Sequence, residues 1–249
     1  MQIITVANQK GGVGKTTTAV TLAHGLAVKN YNVLLVDLDP QGQCASLLGL
    51  AQEPGVFNLL VNRPPLRDVV RSTRRDGLWL LPGNKRTATA QTLMAVEGYQ
   101  VDALARLFES AVVNSDRLHY IIMDTAPAVG GLQGCALYAA DLLLLPAAVD
   151  FLSLEGVAEI LKTLKGLSRP YPPQVRVLPT FYDAVTRESK TNLALLRESF
   201  GEAVLEPIHR AAVLRECPSA GRTIFEHDPN CRAAQEYAAV VWGVVNATT

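Results

Sequence analysis

Long apolar runs are missing from this sequence. Stretches such as residues 142–145 and 33–36 fall far short of the roughly 20 residues that cross a bilayer, and no basic, apolar, small-residue leader opens the chain. On both counts the sequence reads as cytosolic. Cysteine is scarce and scattered: Cys44, Cys135, Cys217 and Cys231 form no CxxC pair, so neither a disulfide framework nor a zinc-ligand spacing is indicated. All four are expected to be small buried side chains. Net charge is lacking as well, because 23 Lys and Arg balance 23 Asp and Glu. Nucleic-acid binding driven by overall charge is thereby disfavoured, which leaves only a local basic patch. No linker or repeat divides the 249 residues, so one large domain spanning 1–249 is expected.

What is present is an ordinary globular composition, 49% apolar and 18% charged, arranged as short aliphatic runs alternating with longer helical patterns. That alternation predicts an α/β fold: a mostly parallel twisted sheet with helices on both faces. Strands are expected at 3–7, 33–37, 78–81, 120–124, 142–146 and 175–179, and helices at 16–29, 91–113, 132–138, 154–167, 190–200 and 233–245. The strands are continuously apolar, as covered faces require. Residues 51–75, rich in Pro, Arg and Gly, read as a surface excursion with short helical turns. In such sheets ligands gather beyond the carboxyl ends of the strands, and three of those ends carry candidate chemistry.

The first strand runs into Asn8-Gln9-Lys10-Gly11-Gly12-Val13-Gly14-Lys15-Thr16-Thr17 and then into a helix. Glycines let successive backbone N–H groups turn inward, and with the positive helix end they cradle a polyphosphate. Lys15 is then the residue that reaches the β- and γ-phosphates, and Thr16 the one whose hydroxyl meets Mg²⁺. Gln9 stands where the general phosphate-loop pattern has its first glycine. The second strand ends Val36-Asp37-Leu38-Asp39-Pro40-Gln41-Gly42, and another ends Tyr120-Ile121-Ile122-Met123-Asp124 followed by Thr125-Ala126-Pro127. One aspartate could face a metal and another the γ-phosphate. Equally, Asp39 could be a turn residue before Pro40 and Asp37 a solvated strand terminus.

The segment Lys10-Gly11-Gly12-Val13-Gly14-Lys15-Thr16 resembles the deviant Walker A motif of the ParA/MinD family of P-loop ATPases, the short ParA/Soj-type partition proteins above all. The resemblance implies an ATP site made of Lys10, Gly11, Gly12, Val13, Gly14, Lys15, Thr16 and Thr17. It implies that Lys10 reaches across an ATP-dependent homodimer to the partner's phosphates. Residues 36–42 match the family's switch I, which assigns Asp39 to orienting the attacking water and Asp37 to the Mg²⁺ water shell. Asp124 matches Walker B, also at the metal, and residues 126–131 match switch II, with Ala126 in place of a common proline. Lys10, Lys15 and Asp39 are thus the catalytic candidates, and Thr16, Asp37 and Asp124 the metal candidates. Slow turnover is expected of so weak a base.

The likeness continues through residues 141–146 and 151–156, then Thr180-Phe181-Tyr182-Asp183, Glu216-Cys217-Pro218 and residues 233–237; residues 51–75 match least. The resemblance implies nonspecific DNA binding through two arginines, one shortly after the Phe181-Tyr182-Asp183 match and one just before the Glu216-Cys217-Pro218 match. Here Arg187 or Lys190 answers to the first position, while the second is Val213, flanked by Arg210 and Arg215 and diluted by Glu188, Glu206 and Glu216. The family implies a nucleoid-associated protein that positions plasmid or chromosomal DNA, with a ParB-like or other small partner that stimulates hydrolysis. The alternatives are a positioner of protein cargo and a MinD-like spatial regulator. No Lys or Arg follows Arg232, against a basic membrane helix. Cysteines are absent between Cys44 and Cys135, against a cluster held between subunits; Tyr237 alone is no tyrosine cluster. A first strand at residue 3 leaves no room for a preceding helix-turn-helix.

Overall fold

The computed structural model describes residues 1–112, 118–127 and 130–248. Among them seven strands form one sheet in the order β3-β4-β2-β5-β1-β6-β7: β1 Gln2–Val6, β2 Val33–Asp37, β3 Arg71–Arg75, β4 Leu78–Leu81, β5 Tyr120–Asp124, β6 Leu142–Ala148 and β7 Gln174–Thr180. All pairings are parallel except β3 with β4. The aliphatic strands are buried on both faces because helices cover both.

On one face lie α1 (Lys15–Val28), α2 (Gln43–Leu47), α9 (Val213–Ala220), α10 (Ile224–His227) and α11 (Arg232–Thr248). The opposite face carries α4 (Arg86–Val96), α5 (Ala103–Val112) and α6 (Gly131–Ala139). Over β6 and β7 pack α7 (Phe151–Lys165) and α8 (Arg187–Phe200). Helix α1 is buried along most of its length, since α11 lies over it and presents Tyr237, Val240, Val241, Val244 and Val245 to the core. That is the packing expected of a solvent-free helix face rather than a membrane surface. No helix among the described residues is long and apolar enough to cross a membrane.

Residues 51–75 depart from the expected surface excursion. Val56, Phe57, Leu59, Leu60 and Val69 are buried against Val36 and Leu81, on a π-helical turn Asn58–Asn62 and the short α3 (Leu66–Val69). The segment then becomes edge strand β3, joined to β4 by Asp76-Gly77, a dipeptide suited to hairpin turns. Arginine along an exposed edge hides strand character from composition and guards the edge against further pairing. The single helix expected over 91–113 is two. Gly98, at φ 68°, stops α4 with Tyr99 N donating to Met94 O at 3.0 Å, a left-handed helix stop; residue 113 lies outside the described residues. Helices α2 and α9 were not anticipated. Helix α8 starts three residues earlier than expected, where Thr186 accepts a hydrogen bond from Ser189 N.

Candidate nucleotide and metal site

Register decides which groups meet. β5 lies between β1 and β2, and its pairings align Val6, Asp124 and Asp37 across the carboxyl edge of the sheet. Two strands 87 residues apart in sequence therefore end in adjacent aspartates, beside the point where the chain leaves β1 for the glycine loop. This is the crevice in which open α/β sheets bind ligands.

The loop is fixed from below. Asn8 is fully buried; its Nδ2 donates to Pro146 O and its Oδ1 accepts from Lys10 N, both at 2.8 Å. Thr180 Oγ1, at the end of β7, donates to Val13 O at 2.9 Å. Gly12 and Gly14 take φ 73° and 87°, a left-handed conformation that side-chain-bearing residues resist. Helix α1 then begins with no side-chain cap and no acidic residue in its first turn. Its N–H groups and dipole are left to an external anion. Lys15 is 7% exposed and donates to Lys10 O at 2.7 Å. Burial lowers its pKa, and attraction to Asp124 and Asp39 works against that. Thr16 and Thr17 follow in the same turn.

The acidic side is equally organised. Asp37 is fully buried and accepts from Asp39 N at 3.1 Å and Cys44 N at 3.0 Å. Asp39 accepts from Gln41 N at 2.9 Å, so it does close a turn before Pro40 and still borders the crevice. Gly83 closes the rear, where an added Cβ would come within 2.6 Å of the Asp37 and Asp39 carbonyl oxygens. Burial pushes Asp37 well above the ordinary carboxylate range, and the nearby Asp124 charge adds to it. Asp124 is raised to about 7, chiefly by burial, while the Thr16 hydroxyl and the Lys15 charge favour its ionised form. Its Oδ1 is buried without a hydrogen-bond partner among the described residues. A buried acceptor in that state costs on the order of 1–3 kcal/mol. An ammonium, a left-handed glycine cradle and an unmatched carboxylate oxygen together fit a polyphosphate with its divalent cation.

The "AAA domain" family model matches residues 1–177. The chromosome-partitioning ATPase Soj of Thermus thermophilus is 39% identical over 94% of this chain and 91% of its own length. The sporulation initiation inhibitor protein Soj of Bacillus subtilis is 34% identical over 95% of each. This chain belongs to the ParA/MinD family of P-loop ATPases. Among solved structures, apo McdA of Cyanothece superposes with a TM-score of 0.87 at 22% identity, covering 98% of this chain and 99% of that one. The cobyrinic acid a,c-diamide synthase of Mycobacterium smegmatis, solved with a bound ATP analogue and magnesium, gives 0.83 at 27% identity over 100% and 96%.

Within this ParA/MinD chain the structure adds residues that sequence reasoning passed over. Lys10, expected to reach another subunit, is held at home: its Nζ pairs with Asp150 at 2.7 and 2.9 Å. Both side chains are partly exposed, 28% and 43%, which makes the pair a weak tether of about 0–1 kcal/mol. Cys44 is no ordinary core cysteine, since its Sγ lies 3.5 Å from Asp124 Oδ2. Asn8 and Thr125 anchor the loop and the Walker B end, Thr125 Oγ1 donating to Val6 O at 2.9 Å. Only Asn8, at the strand–loop junction, carried a signal in sequence. Residues 128–129 of the expected switch II lie outside the described residues.

The four basic candidates Arg187, Lys190, Arg210 and Arg215 are all exposed. Two of them share a neighbourhood, because Tyr182 N donates to Ile208 O and Arg210 N to Tyr182 O. The segment carrying Arg210 thereby runs beside the loop that leads to Arg187. Of the acids expected to dilute this face, Glu206 pairs with Arg197 and Glu216 with His227. A groove of about 1570 Å³ lies elsewhere, lined by Leu59, Trp79 and Tyr99 and bounded by Asn32 and Leu118, which precede β2 and β5. It is at the wrong end of the sheet for the phosphate loop.

Proposed function

We propose that this chain is a ParA-type partition ATPase that binds Mg-ATP at the β1–α1 loop, closes as a homodimer, and then binds DNA without sequence preference. The observation that carries the reading is the alignment of Asp37 and Asp124 beside a loop that holds a buried Lys15. Lys15 binds the β- and γ-phosphates while residues 11–17 wrap them with backbone N–H groups. Thr16 supplies a hydroxyl to Mg²⁺, and Asp37 and Asp124 hold its water shell. When bound, the ion offsets charge building on the phosphate oxygens.

Asp39 orients the attacking water. Lys10 leaves Asp150 to meet the partner subunit's phosphates, an exchange that the weakness of the tether favours. The basic surface around Arg187, Lys190, Arg210 and Arg215 contacts phosphodiesters, and a small ParB-like partner accelerates turnover. The protein then works in the cytoplasm on the nucleoid. The test is steady-state ATP hydrolysis with Mg²⁺, alone, with nonspecific DNA, and with the product of the adjacent gene. Slow basal turnover raised by the additions is expected. Absence of turnover under all three conditions refutes the reading, and stimulation by a cargo protein without any DNA binding redirects it to protein positioning.

A further inference from the structure

The carboxylates at the strand ends and the thiol of Cys44 meet in a way that the nucleotide reading does not use. One ligand atom from each of Asp37, Cys44 and Asp124 lies within 4.8 Å of the other two, and all three residues are fully buried. Magnesium is a hard cation served by carboxylate and water, and has no use for sulfur. A tetrahedral zinc-class ion is different. With metal–sulfur and metal–oxygen bonds of about 2.3 and 2.0 Å, it separates its sulfur and oxygen donors by about 3.5 Å. Cys44 Sγ and Asp124 Oδ2 are 3.5 Å apart. Independently, Asp124 Oδ1 is a fully buried acceptor with no partner among the described residues. Asp37 is held in place by the amides of Asp39 and Cys44 and keeps lone pairs for a further ligand.

We propose that Asp37, Cys44 and Asp124 form a mixed carboxylate–thiolate site for a borderline or soft divalent cation of the zinc, cobalt or cadmium class, filled in the nucleotide-free chain. The three protein donors leave a fourth position for water. Binding breaks the Cys44 S–H bond, forms a sulfur–metal bond and releases that proton to solvent, together with any that Asp37 and Asp124 hold, with no change in oxidation state. The ion offsets the charge that ionising both buried carboxyls brings together. Sequence spacing gave no sign of this, because Cys44 stands alone and its carboxylate partners come from two different strands.

Cobalt(II) is the probe, since thiolate ligation gives a sulfur-to-cobalt charge-transfer band in the near ultraviolet. Titration of the nucleotide-free protein should saturate that band at one ion per chain, and added Zn²⁺ should abolish it by displacement. The band should persist in a chain carrying Cys135→Ala, Cys217→Ala and Cys231→Ala, and vanish in Cys44→Ser. Asp124→Asn should lower cobalt affinity by at least the roughly 10-fold that an outer-shell change costs. Absence of the band in the parental protein, or its survival in Cys44→Ser, overturns the proposal. If Cys44→Ser does not fold, the chain with Cys44 as its sole cysteine decides: no band there means a thiol hydrogen-bonded to Asp124 and nothing more. None of these readouts depends on ATP binding, so failure here leaves the ATPase reading standing, and the reverse.

Discussion

The carboxyl edge of β1, β5 and β2 and the basic surface around Arg187 and Arg210 hold charge in opposite ways. At the first, Lys15, Asp37 and Asp124 are buried side by side in space, each held by backbone or side-chain contacts that leave little freedom. At the second, the arginines and lysine stand in solvent on α8, α9 and the segment before α9. Buried charge is strong, specific and costly to folding; exposed charge is weak singly and screened by salt. The first arrangement suits chemistry on a phosphate, and the second suits loose, reversible contact with a polyanion.

The largest expected effect tests the buried edge. Asp39→Ala should slow ATP turnover by about 100-fold while leaving nucleotide binding intact, trapping a DNA-bound state; turnover at the parental rate removes Asp39 from its role. Next comes the exposed face. Arg187→Glu with Arg215→Glu should weaken DNA binding by on the order of 10-fold or more and make its salt dependence shallower by about 2 in log–log slope. Unchanged DNA affinity would mean that the contact surface lies elsewhere, and lost ATP binding would deny that the two regions are separable.

A pH titration sharpens the contrast further. Burial holds the Asp124 carboxyl to about 7, so the folded chain keeps a proton that the unfolded chain releases near pH 4. The nucleotide-free protein is then expected to lose stability as pH rises from about 4 to about 7, with that contribution gone above. Asp124→Asn should reduce this slope, leaving the part that the raised Asp37 carboxyl contributes, and raise Tm at pH 8, by roughly 2–4 °C for each kcal/mol of burial cost relieved. Parallel melting curves for the two proteins across that range would refute it. The smallest effect belongs to the Lys10 tether. Asp150→Ala should change stability by no more than about 1 kcal/mol yet favour ATP-dependent dimerisation measured by light scattering; a marked loss of dimer would show that Asp150 supports closure instead of delaying it.

Contiguity explains what could be read in advance. Residues 10–17 carry loop, lysine and hydroxyl on one stretch of chain, and the mostly parallel α/β class follows from short apolar strands alternating with helices. β3 and the buried half of residues 51–75 stayed hidden because their apolar positions are short and interrupted by Pro and Arg, so no period of two or 3.6 emerges. Gly98 ended α4 without Pro or a polar cluster to announce it.

The sequence by itself determined the fold class, the phosphate loop and the identity of the acidic strand ends, because each is encoded in a few neighbouring residues and a local backbone preference. Tertiary structure alone decided that β5 lies between β1 and β2, so that Asp37 meets Asp124, that Cys44 turns its thiol toward them, and that Lys10 rests on Asp150. Those contacts join residues 80 to 140 positions apart. They follow from sheet register and helix packing, which no local pattern records.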